Sequence, residues 1–172
     1  MGDEPETLCE GRHLLLLRRR GWEYAEHRAA KEAVLVVALT GDDRVVLVEE
    51  FRPAVNAPVI SPPAGLVGDE GPEDPAEAAR RELSEETGYA AESFERLARG
   101  PGSAGQSSET VIFYLARGAR KTGEQAPQDR DAIRVHAVPI AELSRFARER
   151  EAAGAFVDPK VWAGLYLAGL RR

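Results

Sequence analysis

Two β-branched runs, Ala33–Thr40 (AVLVVALT) and Arg44–Phe51 (RVVLVEEF), meet at Gly41-Asp42-Asp43, and this pairing does most to limit the fold. Branching at Cβ favours the extended backbone, and the glycine-aspartate turn joins the runs into a hairpin. Before it, His13–Arg18 and Trp22–His27 read as a strand pair turning at Arg20-Gly21. After it, the proline-spaced stretch from Arg52-Pro53 to Gly65 reads as loop, with a short extended piece near Val59-Ile60.

Asp74 as N-cap and Pro75 in the first turn open a helix that runs to Glu86 and stops at Gly88. Phe94–Arg99 and Thr110–Ala116 are further strands, followed by a polar segment, Arg117–Asp131. Ile133–Val138 alternates apolar and polar residues as a half-buried strand does. Pro139 opens a helix with Ile140, Leu143 and Phe146 on one face, and Asp158-Pro159 opens the last, carrying Trp162, Leu165, Tyr166 and Leu170. Strands and helices interleave without strict βαβ alternation, which predicts an α/β (α+β) sandwich with a mixed sheet. No internal repeat or linker divides the 172 residues.

The charge balance excludes several functions. With 23 basic and 29 acidic residues the net charge is −6, which opposes binding to a nucleic-acid backbone. Cys9 is the one cysteine, so neither an intrachain disulfide nor a cysteine zinc site can form. The polar, acidic start MGDEPETLCEGRH lacks the plan of a secretion signal, and no apolar run has bilayer length, so a cytoplasmic protein off the membrane is expected. His13, His27 and His136 lie far apart without ligand spacing.

The most informative segment is Gly65 to Tyr89, GLVGDEGPEDPAEAARRELSEETGY. Glu82, Glu85 and Glu86 stand at i, i+3 and i+4 and share one helical face. Like charges at that spacing repel, and they crowd a C-terminal turn where the macrodipole disfavours anions. A divalent cation such as Mg²⁺ or Mn²⁺ removes the conflict, because it prefers carboxylate oxygens. A solvated acidic face is the alternative reading of the same residues.

Arg81-Glu82-Leu83-Ser84-Glu85-Glu86-Thr87-Gly88-Tyr89 resembles the core of the Nudix box, R-E-U-x-E-E-x-G-U with U apolar, at every fixed position. Five specified residues and two apolar positions coincide by chance on the order of once in 10⁷ windows, which favours the resemblance over the solvated face. Glu73, eight positions before Arg81, and Pro63-Ala64-Gly65 are also similar to the family. Where its pattern has glycine six residues before Glu73, this chain has Val67. With Gly65 as the box glycine, the loop is two residues longer, an insertion within Gly68-Asp69-Glu70-Gly71.

The resemblance implies a Nudix fold that presents metal to a diphosphate. It implies Glu82 and Glu86 as metal ligands, Glu85 as a ligand or partner of a metal-bound water, and the Ala64 carbonyl as a further oxygen. Arg81 would orient the glutamates and Glu73 would brace the motif. VEEFRPAVNAPVISPPAGLV resembles the ADP-ribose pyrophosphatase branch, as does Asp131-Ala132-Ile133-Arg134-Val135-His136. Arg52 is therefore a candidate substrate contact. In that branch a loop carboxylate often serves as catalytic base; Asp129 and Asp131 match the place, though aspartate is shorter than the usual glutamate, and Glu109 competes. Ser61 departs from the acidic residue common before Pro-Ala-Gly.

The implied substrate is a nucleoside diphosphate derivative, ADP-ribose or a related nucleotide sugar, with no nucleic-acid partner. The branch also implies a homodimer, with residues 1–32 a pairing extension and 33–172 the Nudix domain. A (d)NTP or dinucleoside-polyphosphate hydrolase, and a non-catalytic nucleotide-binding sensor, are the alternatives. Gly100-Pro101-Gly102-Ser103-Ala104-Gly105 fits the dinucleotide fingerprint G-x-G-x-x-G, but a polar turn and strand follow where that motif needs a helix. It reads instead as a flexible loop beside the site.

Overall fold

A computed structural model describes residues 4–68, 71–126 and 133–170. The first three strands, β1 (Glu6–Glu10), β2 (Leu14–Arg19) and β3 (Trp22–His27), form an antiparallel sheet of their own. β1 has no strand signature in its short, polar sequence; it exists by pairing along β2. Arg20 (φ 53°) and Gly21 (φ 82°) both turn left-handed between β2 and β3, as a two-residue hairpin loop requires.

The remaining strands form one mixed sheet built on β4 (Glu32–Thr40) and β5 (Arg44–Arg52). The hairpin between them is brief, pairing Ala38 with Val46 and Leu39 with Val45 before it splays. Below the fork, β4 takes β7 (Ala64–Leu66) on one side and runs parallel to β10 (Thr110–Lys121) on the other. β5 takes β6 (Ala57–Ser61) and β11 (Arg134–Pro139). β8 (Tyr89–Ala90) and β9 (Ser93–Pro101) pair with β10, and β12 (Phe156–Val157) pairs with β6.

The extended piece expected near Val59-Ile60 is β6, but the chain from Ala64 is strand β7 where loop was expected up to Gly65, because β4 satisfies its backbone. The polar segment after Ala116 continues as strand to Lys121, carried past a bulge at Arg117–Ala119 and Gly118 (φ 66°) by pairing with β8. The segment around Gly100–Gly105 ends β9 and turns into β10 with no helix. It is tied to β3 by Ala25 N–H to the Gln106 carbonyl (2.8 Å) and Trp22 Nε1–H to the Gly105 carbonyl (3.1 Å).

Alternation along β4 explains the layers. Val34, Val36 and Ala38 face helix α1 (Pro75–Thr87), packing with Ala78, Ala79 and Leu83. Leu35, Val37 and Leu39 face α2 (Leu143–Ala152) and α3 (Lys160–Leu167) through Leu143, Val161 and Leu165. A 3-10 turn, Ile140–Glu142, precedes α2, so Pro139 leads into the α-helix indirectly. The sheet thus lies between helices, buried on both faces along β4. Among the described residues, no helix is long and apolar enough to cross a membrane.

Leu83 is fully buried where α1 meets the sheet. Leu83→Ala should lower stability by about 2–5 kcal/mol, measured by urea unfolding, through lost transfer energy and the cavity left behind.

Candidate active site

The Asp74 side chain accepts the Ala76 N–H at 2.9 Å, and Gly88 in the left-handed region (φ 72°) closes the far end of α1. Between these caps no basic residue occupies the last turn, where the carboxylates lie. Their repulsion is met from one turn earlier, by Arg81. Its guanidinium donates through Nε and Nη2 to the two Glu73 oxygens (3.0 and 3.1 Å). Nη1 donates to Glu82 Oε1 (2.7 Å) and Glu85 Oε2 (3.1 Å), and Nη2 also reaches the Leu66 carbonyl on β7 (3.2 Å). One cation therefore joins three carboxylates to a strand end. Hydrogen bonding from Arg81 holds the Glu73 carboxyl below its usual range, and the carboxylates push the arginine higher still.

Glu82 is 8% exposed, with its carboxylate lying over Gly65 of β7. A Cβ on Gly65 would fall inside that carboxylate, so glycine is required for strand and side chain to approach. Gly65 therefore lies directly beside the helix, under the Glu82 carboxylate. Val67 packs instead against the core beneath α1. Gly68 (φ 76°) then turns the chain away.

Glu86 emerges at the end of α1 against the start of β7, accepting the Ala64 N–H at 3.1 Å. Burial raises its pKa to about 8; the Glu82 and Glu50 carboxylates push the same way, while the Ala64 N–H and Arg52 oppose them. Arg52, at the end of β5, pairs with Glu50 at 3.0 Å. The structure therefore gathers Ala64, Arg81, Glu82, Glu85, Glu86 and Arg52 around one helix end.

Glu109 stands on a separate element. It precedes β10, with its N–H on Ser107 Oγ (3.0 Å) and its carbonyl accepting the Gly102 N–H (3.2 Å). Asp129 and Asp131 lie outside the described residues. Sequence reasoning missed Glu50, although its place two residues before Arg52 on a strand put both on one face. It also missed Gln125, whose side chain reaches the Glu86 carbonyl, for which no local signal existed.

Among the described residues, no three acidic, histidine or cysteine side chains are already gathered closely enough to hold a metal. The donor set nevertheless fits a hard divalent cation. It offers only oxygens, one carboxylate cradled on bare glycine backbone and another half-buried against a neutral amide.

Glu86 also sets a pH dependence. Below pH 4.5 its carboxyl is protonated in folded and unfolded chains alike, so it has no effect. As pH rises from 4.5 to about 8, the unfolded chain loses a proton that the fold retains, and stability falls. In EDTA, Glu86→Gln should remove that fall, with its advantage over wild type growing across this window and levelling above pH 8. Thermal melts measure it, at roughly 2–4 °C per kcal/mol for a chain of this size. Parallel curves for the two proteins would contradict the assignment.

The sequence matches the NUDIX domain over residues 29–158, about three quarters of the chain. It is 31% identical over 120 residues to an ADP-ribose pyrophosphatase of Bacillus subtilis, covering 69% of this chain and 64% of that protein. To an ADP-ribose pyrophosphatase of Mycobacterium tuberculosis it is 33% identical over 124 residues, covering 72% and 58%. A methanol dehydrogenase activator of Bacillus methanolicus is 38% identical over 112 residues, covering 65% and 57%. The chain thus spans roughly three fifths of the length of these relatives. Among solved structures, an ADP compounds hydrolase superposes with a TM-score of 0.72 at 20% identity, covering 96% of this chain and 89% of that one, a likeness of fold. The matched domain and the glutamate helix it contains place the protein in the Nudix family, with its similarity running to the ADP-ribose pyrophosphatase branch.

Proposed function

We propose that this protein hydrolyses the diphosphate linkage of a nucleoside diphosphate derivative, with ADP-ribose as the preferred substrate and AMP and ribose 5-phosphate as products. The observation that carries the reading is the carboxylate face of α1, organised by Arg81 and set against the bare backbone of Gly65. A face of this kind is a poor solution for packing and a good one for cations. The named pyrophosphatase relatives and the Arg52-Pro53 sequence support the choice of substrate.

Glu82 and Glu86, with Glu85 and the Ala64 carbonyl, would hold Mg²⁺ or Mn²⁺. When bound, the cation neutralises diphosphate charge and makes a water more acidic. Arg81 keeps Glu82 and Glu85 oriented, and Arg52 contacts a substrate phosphate or ribose. A water oxygen bonds to one phosphorus as the bridging P–O bond breaks, and its proton passes to a carboxylate. Glutamates engaged with cations serve poorly as that acceptor, so Glu109, Asp129 and Asp131 remain the candidates.

A panel of ADP-ribose, GDP-mannose, Ap4A and nucleoside triphosphates with Mg²⁺ or Mn²⁺ tests the reading. ADP-ribose should have the highest kcat/KM, and Glu82→Gln and Glu86→Gln should each lower kcat by orders of magnitude. Arg52→Ala should raise KM. Amide substitution at Glu109, Asp129 and Asp131 should lower kcat by roughly 10²–10⁴ at one position only. No hydrolysis of any compound would favour a nucleotide-binding sensor; preference for triphosphates would overturn the substrate.

In this reading the protein acts in the cytoplasm as a homodimer, its strands before residue 33 supplying the pairing surface; fluorescence microscopy of the full chain fused to a fluorescent protein tests the compartment. Leu14 and Leu16 of β2 are exposed apolar residues suited to such pairing. Light scattering at micromolar concentration should give twice the 18.7 kDa chain mass, and a monomer would refute it.

A further inference from the structure

The end of α1 carries three carboxylates and no lysine or arginine in its last turn, yet its carbonyls need donors. They find neutral ones, mostly from the chain that follows β10. Thr122 N–H (2.9 Å) and Gly123 N–H (3.1 Å) reach the Gly88 carbonyl, and Ala126 N–H reaches that of Glu85 (2.9 Å). The Gln125 side chain completes the set. Its Nε2 donates to the Glu86 carbonyl at 2.6 Å and to the Ile133 carbonyl at 3.0 Å. Both amide hydrogens are thereby used, one on the helix end and one just ahead of β11.

We infer that Gln125 is a positioning residue, whose paired hydrogen bonds fix the last turn of α1 so that the Glu85 and Glu86 carboxylates stay placed for a divalent cation. The inference rests on the metal-dependent reading proposed above. Gln125 acts through the backbone of Glu86, not through a carboxylate oxygen. Its neutrality matters as much as its reach. A lysine would satisfy the same carbonyl, but its charge would pair with the nearby carboxylates and compete with the cation. An amide gives the carbonyl a donor and leaves the carboxylate charge in place. The same bonds join Ile133 to the helix end, so the start of β11 and the glutamates keep a common frame.

Binding of Mn²⁺ alone, followed by electron paramagnetic resonance, tests this without reference to catalysis. Gln125→Met keeps the side-chain length and loses both donors. It should weaken Mn²⁺ binding about 10- to 100-fold, the usual scale for groups that orient metal ligands. Gln125→Asn, with an arm too short to span both carbonyls, should fall between Met and wild type. Asp74→Ala removes the cap at the opposite end of α1, lowers its stability and should leave Mn²⁺ affinity unchanged. Wild-type affinity in both Gln125 variants overturns the inference, and so does equal weakening in Asp74→Ala, which would mean simple helix destabilisation. If wild type binds Mn²⁺ and Gln125→Met weakens it, yet no diphosphate compound is hydrolysed, the functional proposal fails and the positioning role stands. A wild type that binds no Mn²⁺ at millimolar concentration overturns both.

Discussion

The guanidinium of Arg81 is the group on which the rest of the site depends. Glu73, Glu82 and Glu85 all accept hydrogen bonds from it, and the Leu66 carbonyl fixes it to β7. Without that cation the helix face would be an array of like charges no longer tied to the strand. The fork between β4 and β5 makes the arrangement possible. Because their hairpin ends after two residue pairs, a gap opens beside β4, and β7 fills it with the glycine over which Glu82 lies. Charge and backbone are thus fitted together: the side chain needs the glycine, and the glycine is held by the sheet.

Electrostatic balance elsewhere in the helix follows the same pattern. Arg81 offsets part of the repulsion, while neutral amides satisfy the terminal carbonyls. Glu86 is pushed up by burial, with the Ala64 N–H and Arg52 opposing. A group in that state lowers the stability of the metal-free fold and favours a cation that arrives. Such tension is common where binding, rather than packing, has shaped a surface.

Much of this was legible from residue order. The hairpin turn, the capped helix and the i, i+3, i+4 glutamates are local signals, and the structure contains each of them. What escaped was decided by distant partners. Ala64–Leu66 looks like loop because prolines precede it, but β4 makes it a strand. Arg117–Lys121 is polar, yet pairing with β8 and β9 keeps it extended. Val67 at the expected glycine position left the loop path open in the sequence, and the close approach of Glu82 to Gly65 is visible only in the structure. Glu50 could have been read from strand alternation with Arg52; Gln125 could not, since its partners lie 39 and 8 residues away.

The parallel pairing of β4 with β10 has a bearing on how the chain assembles. Glu32 and Thr110, opposite each other in that ladder, are separated by 78 residues, so a long loop must close before the central sheet exists. Glu73, Glu82 and Glu85, the carboxylates that accept from Arg81 among the described residues, lie in contrast within eight residues of it. Part of the neutralisation of the glutamate helix therefore lies within a short segment, while Glu86 depends on Ala64 and Arg52 from the sheet. The contacts of Arg81 with Glu73, Glu82 and Glu85 are thus local in sequence, whereas the seating of Glu82 over Gly65 requires β7 to be held against β4.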